Sequence, residues 1–136
     1  VTSPKEIVDR WVAAYNSRDW AAYKEILSPD CVIDVGSRRL QGIQQVIEDD
    51  RSLAEACPDV HAVNLHEAAS GRVVMREDRA TGTFTKPWHR AAGDIAPTGN
   101  RFDVTFAVVI EVETGKVVAG RFYSDPAILV AQLGIS

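Results

Sequence analysis

The sequence has little of what metal, redox or nucleic-acid chemistry requires. Its two cysteines, Cys31 and Cys57, fit no thiolate metal motif and no redox pair. One pair is also too few for a disulfide framework, so two reduced, buried thiols are expected. Of the three histidines, His61 and His66 lie five apart on an extended segment, which turns them to opposite faces. No metal site and no cofactor are expected. The 15 lysines and arginines stand against 19 aspartates and glutamates, for a net charge of −4, and nowhere cluster into a track for a phosphate backbone. This argues against nucleic acid as a partner. No apolar run approaches bilayer length, and no basic segment followed by a hydrophobic stretch opens the sequence. The expectation is a cytoplasmic protein with no membrane association.

What remains is a globular composition, 46% hydrophobic and 25% charged over 136 residues, with no shift that would divide it. A single domain over 1–136 is expected. Ser3-Pro4-Lys5-Glu6 combines a capping serine, a proline at the first helical position and a glutamate three residues after the cap. Ile7, Val8, Trp11, Val12 and Tyr15 then recur at helical spacing until Asn16-Ser17-Arg18-Asp19. A shorter helix carries Trp20, Tyr23, Ile26 and Leu27 and stops at Ser28-Pro29-Asp30. Cys31 to Val35 reads as a strand. Gly42 opens a third helix, with Ile43, Val46, Ile47, Leu53, Ala54 and Cys57 on one side and Pro58 closing it.

From Val60 the pattern becomes extended: Val60 to Glu67, Arg72 to Thr85, Arg101 to Glu113 and Lys116 to Ser124, expected to pair antiparallel. Ser70-Gly71 and Thr114-Gly115 have hairpin length, whereas Lys86 to Asn100 is a longer loop suited to covering an opening. Asp125-Pro126 starts a last helix that Gly134 ends. Helices followed by strands imply an α+β domain. The expected form is a conical α+β barrel, its helices packed on a strongly curved antiparallel or mixed sheet around an apolar cavity.

Several segments, in this order, resemble the SnoaL-like polyketide cyclase family, a branch of the nuclear-transport-factor-two-like α+β barrels. They are Trp11 with Tyr15-Asn16 and Asp19, Ser28-Pro29-Asp30, Thr81-Gly82-Thr83, Pro97-Thr98-Gly99-Asn100-Arg101, Gly115-Lys116-Val117-Val118, and Tyr123-Ser124-Asp125 running into Gln132-Leu133-Gly134. The resemblance covers most of the chain. It implies a pocket for a flat aromatic polyketide, with an aspartate at the end of the last strand, here Asp125, doing acid/base work without metal or cofactor. Family cyclases close the last ring of anthracycline precursors by intramolecular aldol condensation. Close relatives assist hydroxylation of the same skeleton, so the fold does not fix the reaction. Related barrels also imply a homodimer through the sheet.

Asp125 suits aldol closure, which needs one group to take a proton from carbon and return one to the new alkoxide. An aspartate before proline is equally an ordinary helix cap. Simple alternation puts Val117, Ala119, Arg121, Tyr123 and Asp125 on one face, so an inward Asp125 brings Arg121 and Tyr123 with it. Arg121, where the family commonly has an aromatic residue, could hold an enolate or phenolate, or reach water at the edge of the sheet. Phe102, Val104, Phe106, Val108, Ile110 and Val112 form one apolar face, and Trp11, Tyr15 and Tyr123 join Phe102 and Phe106 as candidate ligand contacts. Arg76-Glu77-Asp78-Arg79 places four charges on one strand. Arg76 and Asp78 resemble half of an epoxide-hydrolase site from a sister branch, whose second aspartate is here Phe122; a solvated, salt-bridged face is the other explanation. The expected function is therefore aromatic polyketide tailoring by Asp125 and Arg121. Cofactor-independent hydroxylation, epoxide opening and a non-catalytic small-molecule-binding barrel stand as alternatives.

Overall fold

A computed structural model describes residues 2–135; Val1 and Ser136, the two ends of the expected domain, lie outside the described residues. Helix α1, Pro4–Ser17, starts where the Ser3 hydroxyl accepts a hydrogen bond from the Glu6 N–H at 3.2 Å, and ends at Arg18 in the left-handed conformation. The Arg18 guanidinium donates to the carbonyls of Tyr15, Asn16, Pro58 and Val60, which ties this helix end to the chain leaving the third helix. Helix α2, Trp20–Ile26, is capped by Asp19. Strands β1, Leu27–Val35, and β2, Arg38–Gln41, lead into α3, Gly42–Ala56. Then come β3, His61–Ser70; β4, Val73–Thr83; β5, Arg101–Glu113; β6, Lys116–Tyr123; and α4, Pro126–Leu133.

The six strands form one mixed sheet in the order β2-β1-β6-β5-β4-β3. Only the β1–β6 pair is parallel. The fold is thus α+β as the sequence implies, but the sheet is open, with β2 and β3 as free edges, so no closed barrel forms. Two features differ from the sequence reading. Strand β2 was not anticipated, because Arg38, Arg39 and Gln41 leave Leu40 as its one apolar residue. The Ser28-Pro29-Asp30 stop lies within β1, where the pairing with β6 slips between Leu27 and Val32. Among the described residues, no helix is long and apolar enough to cross a membrane.

Helices cover one face of the sheet, and the interior divides into two apolar clusters. The larger joins Ile7, Val8 and Trp11 of α1 to Val46 and Ile47 of α3 and to Val74, Val108, Ile110 and Val117 of the sheet. In the smaller, Ala54, Ala56, Cys57, Phe84, Phe102 and Leu133 pack under α4 and the loop after β4. That loop folds down onto α3: Trp88 pairs with Ile95 and donates its indole N–H to the Ser52 hydroxyl at 3.3 Å. Tyr15 and Trp20 pack against both clusters and mark the seam between them. Along β5, Phe102, Val108, Ile110 and Val112 are buried whereas Val104 and Phe106 are half-buried, so the inward apolar face is least covered near this seam.

Candidate functional site

A bulge in β6 decides which of its side chains face the helices. Val112 pairs with Val117 but Glu111 pairs with Ala119, leaving Val118 as the extra residue. Each bulge reverses the inward–outward alternation beyond it. Val117 points inward before the bulge; Gly120 and Phe122 do so after it. Arg121 and Tyr123 therefore lie on the outer face, which corrects the expectation that they look into the interior. Arg121 donates to Glu111 Oε2 at 2.9 Å, and Tyr123 is 56% exposed.

Asp125 is exposed, and its carboxylate accepts a hydrogen bond from the Ala127 N–H at 3.0 Å as the N-cap of α4. The carboxyl group is thus outside any apolar lumen, because the proline after it starts a helix whose free amides capture it. Arg121 and Tyr123 instead line an open depression of about 390 Å³ with Asp34, Arg38, Arg39 and Phe122. Its cations are already engaged: Arg38 on Asp49, Arg39 on Asp34 and Arg121 on Glu111. Phe102 is fully buried against Gly82, where an added Cβ would come within 2.7 Å of its ring, so it is core rather than a ligand wall.

The remaining candidates stay inside. Phe106 stacks on Phe122 with ring centroids 6.1 Å apart. Trp11 and Tyr15 of α1 meet Trp20 and Tyr23 of α2 in one aromatic cluster: Trp11 lies 5.5 Å from Tyr23, Tyr15 lies 5.9 Å from Trp20, and Trp20 lies 5.4 Å from Tyr23. The sequence reading missed the carboxylate that joins them. Asp50 accepts a hydrogen bond from the Tyr23 hydroxyl. It follows Val46 and Ile47 and precedes Leu53 and Ala54 at helical spacing, a carboxylate in the middle of the apolar stripe of α3, and that periodicity is the signal that could have found it.

Burial pushes the Asp50 carboxyl up to about 7, the nearby Asp49 adding to the rise while the Tyr23 hydrogen bond and Arg38 oppose it. The residue is half-buried as a whole, its carboxyl turned inward to the Tyr23 hydroxyl. Tyr15 and Tyr23 are held as neutral phenols, desolvation first and the Asp50 charge second raising both. Beside them the buried Trp11 indole N–H lies toward the Tyr23 hydroxyl, short of full hydrogen-bond geometry.

A second buried polar group sits on β4, where alternation turns Arg76 and Asp78 inward and leaves Glu77 and Arg79 outside. Arg76 binds Asp78 at 3.1 Å, Glu67 at 3.0 Å and Asp9 of α1 at 2.7 Å, and Asn64 donates to Asp78 at 3.0 Å. The reading of this segment as a solvated face is thus corrected for Arg76 and Asp78. A bulge at Leu65 brings both Asn64 and Glu67 of β3 to the inward side. Every charge here has a partner, as an ion network that joins helix to sheet requires.

Comparison with known proteins bears on what this interior is for. A family model described as SnoaL-like polyketide cyclase matches residues 5–133. Among curated proteins, none matches the chain. The crystal structure of a candidate SnoaL-like polyketide cyclase from Jannaschia sp. CCS1 superimposes with a TM-score of 0.85 at 21% identity, covering 98% of this chain and 92% of that one. AclR, a candidate hydroxylase from Streptomyces galilaeus, gives 0.81 at 21% identity, covering 96% and 95%. IdmH, a candidate polyketide cyclase from Streptomyces antibioticus, gives 0.80 at 23% identity, covering 98% and 100%.

Proposed function

Because the chain belongs to the SnoaL-like polyketide cyclase family, we propose that it is an enzyme that tailors aromatic polyketides of the anthracycline type, closing a ring by acid/base chemistry in an intramolecular aldol reaction. The observation that carries this reading is a buried carboxyl, Asp50, raised to about 7 and hydrogen-bonded to Tyr23 of the aromatic cluster. Aldol closure forms one carbon–carbon bond and moves one proton without gain or loss of electrons, so side chains can supply all it needs. Two carboxylates compete for the role. The family resemblance favours Asp125 at the end of β6, and the surroundings of each group favour Asp50.

The test is incubation of the protein with an uncyclised aromatic polyketide ketone, monitored by mass spectrometry and oxygen consumption. Ring closure appears as an isomer of unchanged mass formed without oxygen uptake. A gain of one oxygen atom with uptake supports the second reading, hydroxylation, which draws on the likeness to AclR. Recovery of unchanged ketone, and of unchanged epoxide in a parallel incubation, leaves the non-catalytic binding barrel. The expected homodimer through the outer sheet face belongs to the same proposal; exposed Val63, Leu65, Met75 and Tyr123 support it. Sedimentation at micromolar concentration tests it, and a single species of monomer mass refutes it.

A further inference from the structure

A row of charges of alternating sign crosses β2, β1, β6 and β5. Arg39 binds Asp34 at 2.8 Å, Asp34 stands opposite Arg121 in the parallel β1–β6 pair, and Arg121 binds Glu111 at 2.9 Å. Such rows ordinarily do no more than hold neighbouring strands together. This one runs into the open depression of about 390 Å³ between the β1–β2 turn and the end of β6, where the signs do not balance. Among the described residues, Arg38, Arg39 and Arg121 line it against the single carboxylate of Asp34. Asp49 of α3 and Glu111 of β5, which pair with Arg38 and Arg121, stand outside the lining. On a chain of net charge −4 the depression is thus a place of opposite sign, and it attracts a small anion.

The guanidiniums also keep donors for one. An arginine carries its N–H bonds in one planar fork. Arg39 gives Nε and one terminal nitrogen to Asp34, Arg38 gives its two terminal nitrogens to Asp49, and Arg121 gives one terminal nitrogen to Glu111. Each fork has N–H bonds beyond these. Tyr123 stands beside Arg121 with 56% of its surface open and supplies an aromatic wall. Next to it Phe122 is fixed by stacking on Phe106.

We propose that this depression is a binding site for a planar aromatic carboxylate, its charged group held by Arg121 and Arg39 and its ring laid against Tyr123. A carboxylate matches two parallel N–H bonds of one fork, and a flat ring matches an open aromatic face. The site is separate from the interior carboxyl of Asp50 and does not depend on the polyketide reading. It is also separate from most of the apolar outer face, since Val63, Leu65 and Met75 stand on β3 and β4 at the other end of the strand order. Asp34 is the element that opposes binding. Its hydrogen bond to Arg39, and then the charges of Arg39 and Arg121, hold its carboxyl below the usual range, so it stays an anion at neutral pH. It therefore repels an incoming carboxylate and occupies the fork of Arg39, and its removal strengthens the site.

The test is isothermal titration calorimetry of the full chain with 2-naphthoate as probe and 2-naphthamide as its neutral counterpart. The acid should bind at one site per chain, tighter than the amide by roughly tenfold or more. Arg121→Gln should weaken it by roughly threefold to tenfold, and Asp34→Asn should tighten it by a similar factor. Raising sodium chloride from about 50 mM to about 500 mM should weaken it as well. Arg51→Gln removes the same charge from α3, away from the depression, and should leave the affinity unchanged. Circular dichroism checks that each variant folds, and Arg39→Gln, expected to weaken binding likewise, stands in should Arg121→Gln fail to. Equal affinity for acid and amide overturns the proposal, because the probe would then be held by apolar surface alone. Equal weakening by Arg51→Gln and Arg121→Gln overturns it as a general effect of net charge. An Asp34→Asn variant that binds no tighter than the parent, or no binding by either at millimolar probe, overturns it too.

Discussion

Replacing Arg76 by methionine asks whether the buried ion network is what fastens α1 and β3 to β4. The side chains of Arg76, Asp78 and Glu67 keep 4%, 3% and 7% of their exposure, and Arg76 contacts both buried carboxylates as well as Asp9. Methionine preserves most of the stem's volume but leaves those carboxylates without their shared cation. Removing one partner from a buried pair costs ~3–5 kcal/mol. Lys5 still reaches Glu67 at 3.0 Å from the solvent side, so Asp78 is the group left stranded, with Asn64 alone, and the low end of that range applies. Near 3 kcal/mol, the melting midpoint at pH 7 should fall by roughly 10 °C for a chain of this length. Urea unfolding followed by tryptophan fluorescence measures the loss. A recovery is expected on adding Asp78→Asn and Glu67→Gln, which leave no unpaired charge. A loss below about 1 kcal/mol that the two amide substitutions leave unchanged would refute the reasoning, since the carboxylates would then be hydrated.

Three further outcomes follow from packing and burial. Gly82→Ala drives a methyl group to 2.7 Å from the Phe102 ring and 3.2 Å from the Val60 backbone, which should cost ~1–3 kcal/mol in urea unfolding. The Asp50 carboxyl, raised from 3.8 to about 7 by folding, contributes stability that is complete below its unfolded value and is lost as pH rises through 7. Asp50→Asn should therefore gain on the parent between pH 4.5 and pH 8, with a ceiling of about 4 kcal/mol set by the shift; a pH-independent difference in melting midpoint contradicts it. Cys31 and Cys57 are both fully buried, and burial raises both thiols, Cys57 to about 11. A thiol reagent at pH 8 should label neither in the native protein and both in guanidinium, whereas fast native labelling would show that the interior opens.

Helix starts were legible because capping is local. Ser3 and Asp125, read as caps, each accept from an amide within three residues; Asp19, read only as part of the break after α1, caps α2 in the same way. The apolar face of β5 and the Thr114-Gly115 turn were legible for the same reason. The faces of β6 were not. Alternation from Val117 gives the wrong side for Arg121 because the extra residue, Val118, is defined only by the pairing with Glu111 and Val112. The parallel pairing of β1 with β6 was hidden too, since it joins segments from opposite ends of the chain. Arg76 and Asp78 read as a wet surface because local pattern cannot show that Asp9, Glu67 and Asn64 arrive to meet them. Asp50 was readable from helical spacing alone. Its meaning depended on Tyr23 and Trp11, which come from the other two N-terminal helices.

The β1–β6 pairing also orders events during synthesis. Val32 and Ile33 pair with Ala119 and Gly120, so synthesis must pass β6 before that part of the interior can shut. Until then β1 lacks the strand that flanks it on its parallel side, and Cys31 and Ile33 lack part of their cover. A chain that stops short of β6 therefore leaves an unpaired strand edge and apolar side chains open, the kind of surface on which partly folded proteins aggregate.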